Sequence, residues 1–178
     1  MNFTKFIFFK LLGWRIVGSF DSNIKKSIVI VVPHTSWHDF YIGVFVRRLA
    51  KVEINFVGKK ELFNWPFGFY FRWMGGAPLD RVSGQNKVEA ISNIFHNRDE
   101  FRLALAPEGT RKKVDEWKTG YYYIAKAAKV PIIPVSFDYS TKTVTINDPY
   151  YLTDDVKKDT EILKSYYKGV IGKNPEYT

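Results

Sequence analysis

Five consecutive β-branched residues, Ile28, Val29, Ile30, Val31 and Val32, stand out from an otherwise mixed chain. An apolar run this short and continuous predicts a strand buried on both faces of a sheet. Pro33 has no N–H for a ladder hydrogen bond, so the strand should stop there. Asp39 to Leu49 then reads as a helix closing on Arg47 and Arg48, cations suited to a helix C-terminus. The alternation of apolar strand and helical segment recurs. Strands are expected over 53–57, 101–106, 130–137 and 143–146. Helices are expected over 86–96 and 118–129, and the tail from Asp154 reads as a solvated helix. Residues 75–81 read as a turn-rich segment. Strands alternating with helices predict a single-domain α/β sandwich.

Two apolar stretches fit this pattern less well. Residues 1–20 are rich in Phe, Ile and Leu but carry Lys5, Lys10 and Arg15. A spanning helix needs roughly 20 mostly apolar residues, and no small-residue cleavage site follows the apolar part. The expectation is an amphipathic helix lying in a membrane interface, with Trp14 at headgroup level. A helix packed on the core is the competing reading. Residues 21–178 are expected to form the domain proper. In the second stretch Trp65, Phe67, Phe69, Tyr70, Phe71 and Trp73 crowd together, and one helix could bury only part of that set.

Composition narrows the function. The 178 residues contain no cysteine, which removes disulfides, thiolate nucleophiles and Cys-based zinc sites. Only His34, His38 and His96 represent histidine, so a His-rich metal site is not expected. The net charge of +9 favours an anionic partner: nucleic acid, an acidic lipid surface or a phosphorylated substrate.

Chemistry concentrates just past the β-branched run. A turn at the carboxyl end of a buried strand is where open α/β folds place their sites. Histidine as a residue type has an unperturbed pKa near neutrality, so a histidine here can take a proton from a hydroxyl, and His34 is the candidate. Asp39 can accept from the other ring nitrogen and fix the tautomer. Five residues on a helix turn through about 140°, so His34 must lie in the loop and Asp39 in the first helical turn. Two alternatives stay open on these residues alone. Ser36-x-x-Asp39 also fits a capping box, and His38 lies inside the same spacing and could be the base. Two further polar loops, 75–81 and 107–111, also lie close to apolar strands, with Lys59 and Lys60 as further contributors. Arg81 and Arg111 could bind phosphate bidentately and the lysines could act as point charges. Taken singly, each is an ordinary solvated surface charge.

The set as a whole resembles the 1-acyl-sn-glycerol-3-phosphate acyltransferase family. The His-x4-Asp motif is His34 to Asp39. A glycine-led segment closing on Arg is Gly75 to Arg81. Pro-Glu-Gly-Thr-Arg is Pro107 to Arg111, and a proline-bounded apolar strand is Val130 to Pro134. The resemblance covers roughly residues 28–138. It implies a glycerolipid-acyltransferase-like sandwich, with a mostly parallel or mixed sheet flanked by helices. It implies acyl transfer from acyl-CoA or acyl carrier protein to a lysophospholipid hydroxyl, most simply 1-acyl-sn-glycerol-3-phosphate giving phosphatidic acid. His34 and Asp39 would be catalytic. Lys59, Lys60, Gly75, Arg81, Glu108, Gly109, Thr110 and Arg111 would bind substrate. No metal or cofactor is expected. The enzyme would sit peripherally at the cytoplasmic face of the cell membrane and would not bind nucleic acid. A different acceptor, such as a lyso-aminolipid, is the nearest alternative. A non-catalytic basic module for membranes or nucleic acid is a third.

Overall fold

A computed structural model describes residues 3–79 and 87–178. The chain order is α1 (Phe3–Lys5, continued as a π-helical turn over Phe6–Leu11), β1 (Arg15–Val17), β2 (Lys26–Val32), α2 (His38–Ala50) and β3 (Phe56–Lys59). Then come α3 (Gly68–Trp73), β4 (Gly76–Leu79), α4 (Lys87–His96), β5 (Phe101–Leu105), α5 (Gly120–Ala128), β6 (Ile132–Asp138), β7 (Thr143–Ile146) and α6 (Val156–Ser165).

Five strands form a mixed sheet in the order β1-β7-β6-β2-β5. β2 runs parallel to both β5 and β6, β1 runs parallel to β7, and β6 and β7 are antiparallel. The β-branched run explains this arrangement. Its residues alternate faces, so both must be covered. Ile28, Ile30 and Val32 pack with Phe95 of α4 and Tyr122 of α5, while Val29 packs with Ile42 and Val46 of α2. Fully burying an aliphatic side chain contributes roughly 1.5–3 kcal/mol, so β2 is held far more firmly than the loop it carries.

β3 and β4 form a separate parallel pair. Asn55 ties it to the main sheet: its N–H donates to the Arg102 carbonyl (2.7 Å) and its carbonyl accepts from Ala104 (2.8 Å). Gly75, which leads into β4, has φ +89°, and a side chain there would collide with the Arg47 guanidinium and the Ile54 carbonyl. Only glycine fits that turn.

Three expectations need correction. The N-terminal helix stops at Leu11, and Gly13 in the left-handed region (φ +72°) redirects the chain into β1, which pairs with β7. Trp14, expected at headgroup level, is buried edge-on against Tyr139, and Phe8 is buried beside it. Part of the 75–81 segment is strand β4. The tail is not fully solvated: Leu163 of α6 and Tyr167 in the turn that follows it reach the core.

That tail also buries a carboxylate. Asp159 accepts from the Tyr150 hydroxyl (2.7 Å), the Thr153 hydroxyl (2.8 Å) and the Thr153 N–H (2.9 Å). Asp159→Ala strands these donors in the interior. It should lower unfolding stability by about 2–3 kcal/mol in urea titration; an unchanged midpoint would show that water replaces the carboxylate freely.

Candidate active site

Parallel register brings three loops to one edge of the sheet. Ile30 pairs with Leu105, and Val32 with Ser136. The residues just past β2, β5 and β6 are therefore neighbours, although they are His34, Glu108 and Tyr139 in sequence. His34 lies in the loop and Asp39 in the first turn of α2, as the spacing requires. His34 Nδ1 donates to Asp39 Oδ2 at 3.0 Å when it carries the ring proton. The Ser36 N–H donates to the same oxygen (3.0 Å), which is one arm of the capping box. The Tyr139 hydroxyl donates to Oδ1 (2.8 Å). Asp39 is 3 % exposed, and its carboxylate is held by these partners.

With Nδ1–H committed to Asp39, the neutral imidazole carries its lone pair on Nε2. His38 is occupied differently. Its ring lies over Trp37 (4.0 Å between centroids) and its Nδ1 contacts the Ser36 hydroxyl (2.9 Å). The two histidines are thus distinguished by their contacts, which spacing could not do.

The Glu108 carboxylate accepts from the His34 backbone N–H (2.8 Å). Burial pushes its pKa above the ordinary glutamate range, against the pull of that hydrogen bond and of the nearby His34. Gly109 takes a left-handed conformation (φ +65°) against the Lys118 side chain. Gly109, Thr110 and Arg111 are exposed at the rim, with the Thr110 hydroxyl accepting from the Lys112 N–H (3.3 Å). Lys60 is exposed just past β3, where Lys59 ends the strand. Gly75 lies against Arg47 and the Ile54 carbonyl, and Arg81 lies outside the described residues. Among the described residues, no three His, Asp or Glu side chains converge as a metal site.

A cavity of about 310 Å³ opens beside His34 and Asp39, between the sheet and α2. Its walls are apolar: Val29, Val31, Phe40, Val135 and Phe137 among others, with Gly43 of α2 adding no side chain. His34 and Asp39 stand at one place in a mostly apolar chamber, with Arg47 and Asn55 as its other polar lining, the usual construction of a small-molecule site.

Two supports were invisible in the sequence. Tyr139 is 100 residues from Asp39. Asn174 donates its backbone N–H to the Thr35 hydroxyl (3.1 Å) and its side-chain amide to the Thr35 carbonyl (3.0 Å). The C-terminal segment thereby holds the residue next to His34. No local motif announces such long-range bonds.

A profile of the Acyltransferase family matches residues 15–138. The chain belongs to the acyltransferase family. It is similar to the 1-acyl-sn-glycerol-3-phosphate acyltransferase of Streptococcus pneumoniae, with 33 % identity over 71 % of this chain and 50 % of that one. The enzyme of that name from Salmonella typhimurium is 35 % identical over 71 % of this chain and 53 % of its own length. The chain spans about half the length of the curated relatives it matches. The fold is that of the crystal structure of the 1-acyl-sn-glycerophosphate (LPA) acyltransferase PlsC from Thermotoga maritima. The TM-score is 0.64 and the identity 22 %, covering 93 % of this chain and 76 % of that one. Tyr139 lies just outside the matched span of this acyltransferase, and Asn174 well beyond it.

Two outcomes follow for the site. Glu108→Gln keeps an acceptor for the His34 N–H and removes a buried charge. A raised carboxyl pKa contributes stability only while the group is protonated, and this is lost as pH rises through the folded-state value. The variant should therefore gain stability over wild type as pH rises from the acid side past the ordinary carboxylate range, and match it in acid. Thermal unfolding across pH checks this, and a variant less stable at neutral pH would contradict it. Burial, aided by Asp39, holds the Tyr139 hydroxyl proton far above the usual tyrosine range, so it donates at all working pH. Tyr139→Phe keeps the ring on Trp14 and removes the donor, and should cost about 1–2 kcal/mol in urea unfolding.

Proposed function

We propose that this acyltransferase moves an acyl group from an acyl-CoA or acyl carrier protein thioester to the free hydroxyl of 1-acyl-sn-glycerol-3-phosphate, giving phosphatidic acid. The observation that carries this reading is the buried Asp39 carboxylate holding His34 at the mouth of an apolar cavity. His34 Nε2 takes the proton of the acceptor hydroxyl as the oxygen attacks the thioester carbonyl. The tetrahedral intermediate collapses, the C–S bond breaks, and the thiolate leaves with the proton returned by the imidazolium. Asp39 stabilises that imidazolium. Backbone amides at the start of α2 or in the 107–111 loop are suited to the developing oxyanion. Attack is direct: the chain has no cysteine and no Gly-x-Ser-x-Gly nucleophile elbow. Arg81, with Lys59 or Lys60, holds the acceptor's phosphate, while Glu108, Gly109, Thr110 and Arg111 shape its site. The acyl chain occupies the cavity.

The acceptor is a membrane lipid, so the enzyme works peripherally at the cytoplasmic face of the cell membrane. Among the described residues no helix is long and apolar enough to cross a membrane. Phe3, Phe6 and Leu11 of the N-terminal helix are exposed, which suits interfacial contact.

Transfer assays with labelled acyl-CoA and acyl carrier protein against a panel of lyso-lipids test the reading. Phosphatidic acid should form with wild type and be lost in His34→Ala. Asp39→Asn should slow transfer by on the order of 10²–10⁴. Product only on a phosphate-free lyso-aminolipid would keep the mechanism and overturn the acceptor. Full activity in His34→Ala with loss in His38→Ala would overturn the base.

Gly43 supplies a sharper test of the cavity. A methyl group added there meets only the Phe137 ring, at 3.9 Å. Gly43→Leu should raise helix propensity by roughly 0.5–1 kcal/mol while filling the chamber. The preferred acyl chain should shorten with no loss of stability. An unchanged chain-length profile would place the acyl chain elsewhere.

A further inference from the structure

The aromatic stretch 65–73 is not used by the chemistry above, yet its placement is specific. Phe63, Gly68 and Met74 are buried and pin the segment down. Trp65, Phe67, Phe69 and Trp73 are between 66 % and 94 % exposed. Phe69, Tyr70 and Trp73 are spaced to share one face of α3, and the Tyr70 and Trp73 rings lie 6.2 Å apart. Leaving so many large apolar groups in water along one short segment marks a contact surface.

Charge says what it contacts. Trp73 also lines a recess of about 320 Å³ with Arg47, Arg48 and Lys51 at the end of α2, opposed there only by Glu53. On the aromatic segment itself Arg72 lies over the Phe63 ring (5.7 Å), and Lys60 and Glu61 precede it. Amphipathic aromatics beside Arg and Lys are the composition of a headgroup-level contact, and the chain's net charge of +9 adds long-range attraction to an anionic leaflet. The recess and the catalytic cavity share a wall of Val44, Arg47 and Met74.

We propose that residues 65–73 and the basic recess at the end of α2 form a docking face for an anionic phospholipid bilayer, seating the wall of the catalytic cavity against the lipid. The docking rests on the acyl-transfer reading for its purpose but not for its surface chemistry.

The test uses the full chain. Partition is measured by sedimentation with vesicles of phosphatidylcholine alone and of phosphatidylcholine mixed with phosphatidylglycerol. Acyl transfer is measured separately on monomeric short-chain donor and acceptor, with no bilayer present. Wild type should favour the mixed vesicles. Trp65→Ala with Phe69→Ala, and independently Arg48→Gln with Lys51→Gln, should each weaken that partition about tenfold or more while bilayer-free transfer stays at the wild-type rate. Wild-type partition in both double variants overturns the proposal. So does a loss confined to Phe3→Lys with Leu11→Lys, which would assign the anchor to α1. A concentration-dependent dimer abolished by Trp65→Ala with Phe69→Ala, without vesicle binding, would assign the face to a second copy and overturn it as well. Absence of bilayer-free transfer in wild type, with the vesicle pattern intact, sinks the reaction and leaves the docking face supported.

Discussion

The Asp39 carboxylate sits buried at the carboxyl edge of the sheet and accepts from His34, Ser36 and Tyr139. A charge removed from water is tolerable only when its lone pairs are met. Those partners come from the loop after β2, the lead-in to α2 and the residue after β6, so the carboxylate can be satisfied only when these elements are docked. Its need for donors therefore ties the imidazole orientation to the integrity of the sheet. The ring is held from the protein side, through its Nδ1.

The surroundings divide the remaining tasks. Glu108 holds the His34 backbone from the β5 side at a cost in desolvation. Asn174 holds Thr35 from the C-terminal segment. Neither bond touches the ring; both restrict the loop that carries it. A loop with little apolar burial of its own opens easily, and these cross-links compensate where β2 can no longer help. The mostly apolar chamber on the α2 side lies against the same edge, and hydrogen bonds in apolar surroundings are stronger than in water.

Much of this was legible because it is local. The β-branched run and Pro33 set β2 and its end, and the five-residue spacing put His34 in the loop and Asp39 on the helix. Pro107 to Arg111 was readable as a loop because glycine and proline punctuate it. What was not legible depends on tertiary pairing. Arg15–Val17 is three residues inside an apolar N-terminal run, and only β7 makes it a strand. Gly76–Leu79 contains Pro78 and reads as turn until β3 lies beside it. Tyr139 and Asn174 are unremarkable residues whose partners are 100 and 139 positions away. The different partners of His34 and His38 were not legible either, since both fall within the same six residues.

The central claim is that Asp39 fixes the His34 tautomer, and nitrogen-15 NMR of the imidazole tests it most directly. In the resting enzyme, above the pH at which the ring is protonated, the account predicts a proton on Nδ1 and an unprotonated Nε2, with this preference lost in Asp39→Asn. A resting ring protonated on Nε2, or a tautomer indifferent to Asp39→Asn, would contradict it.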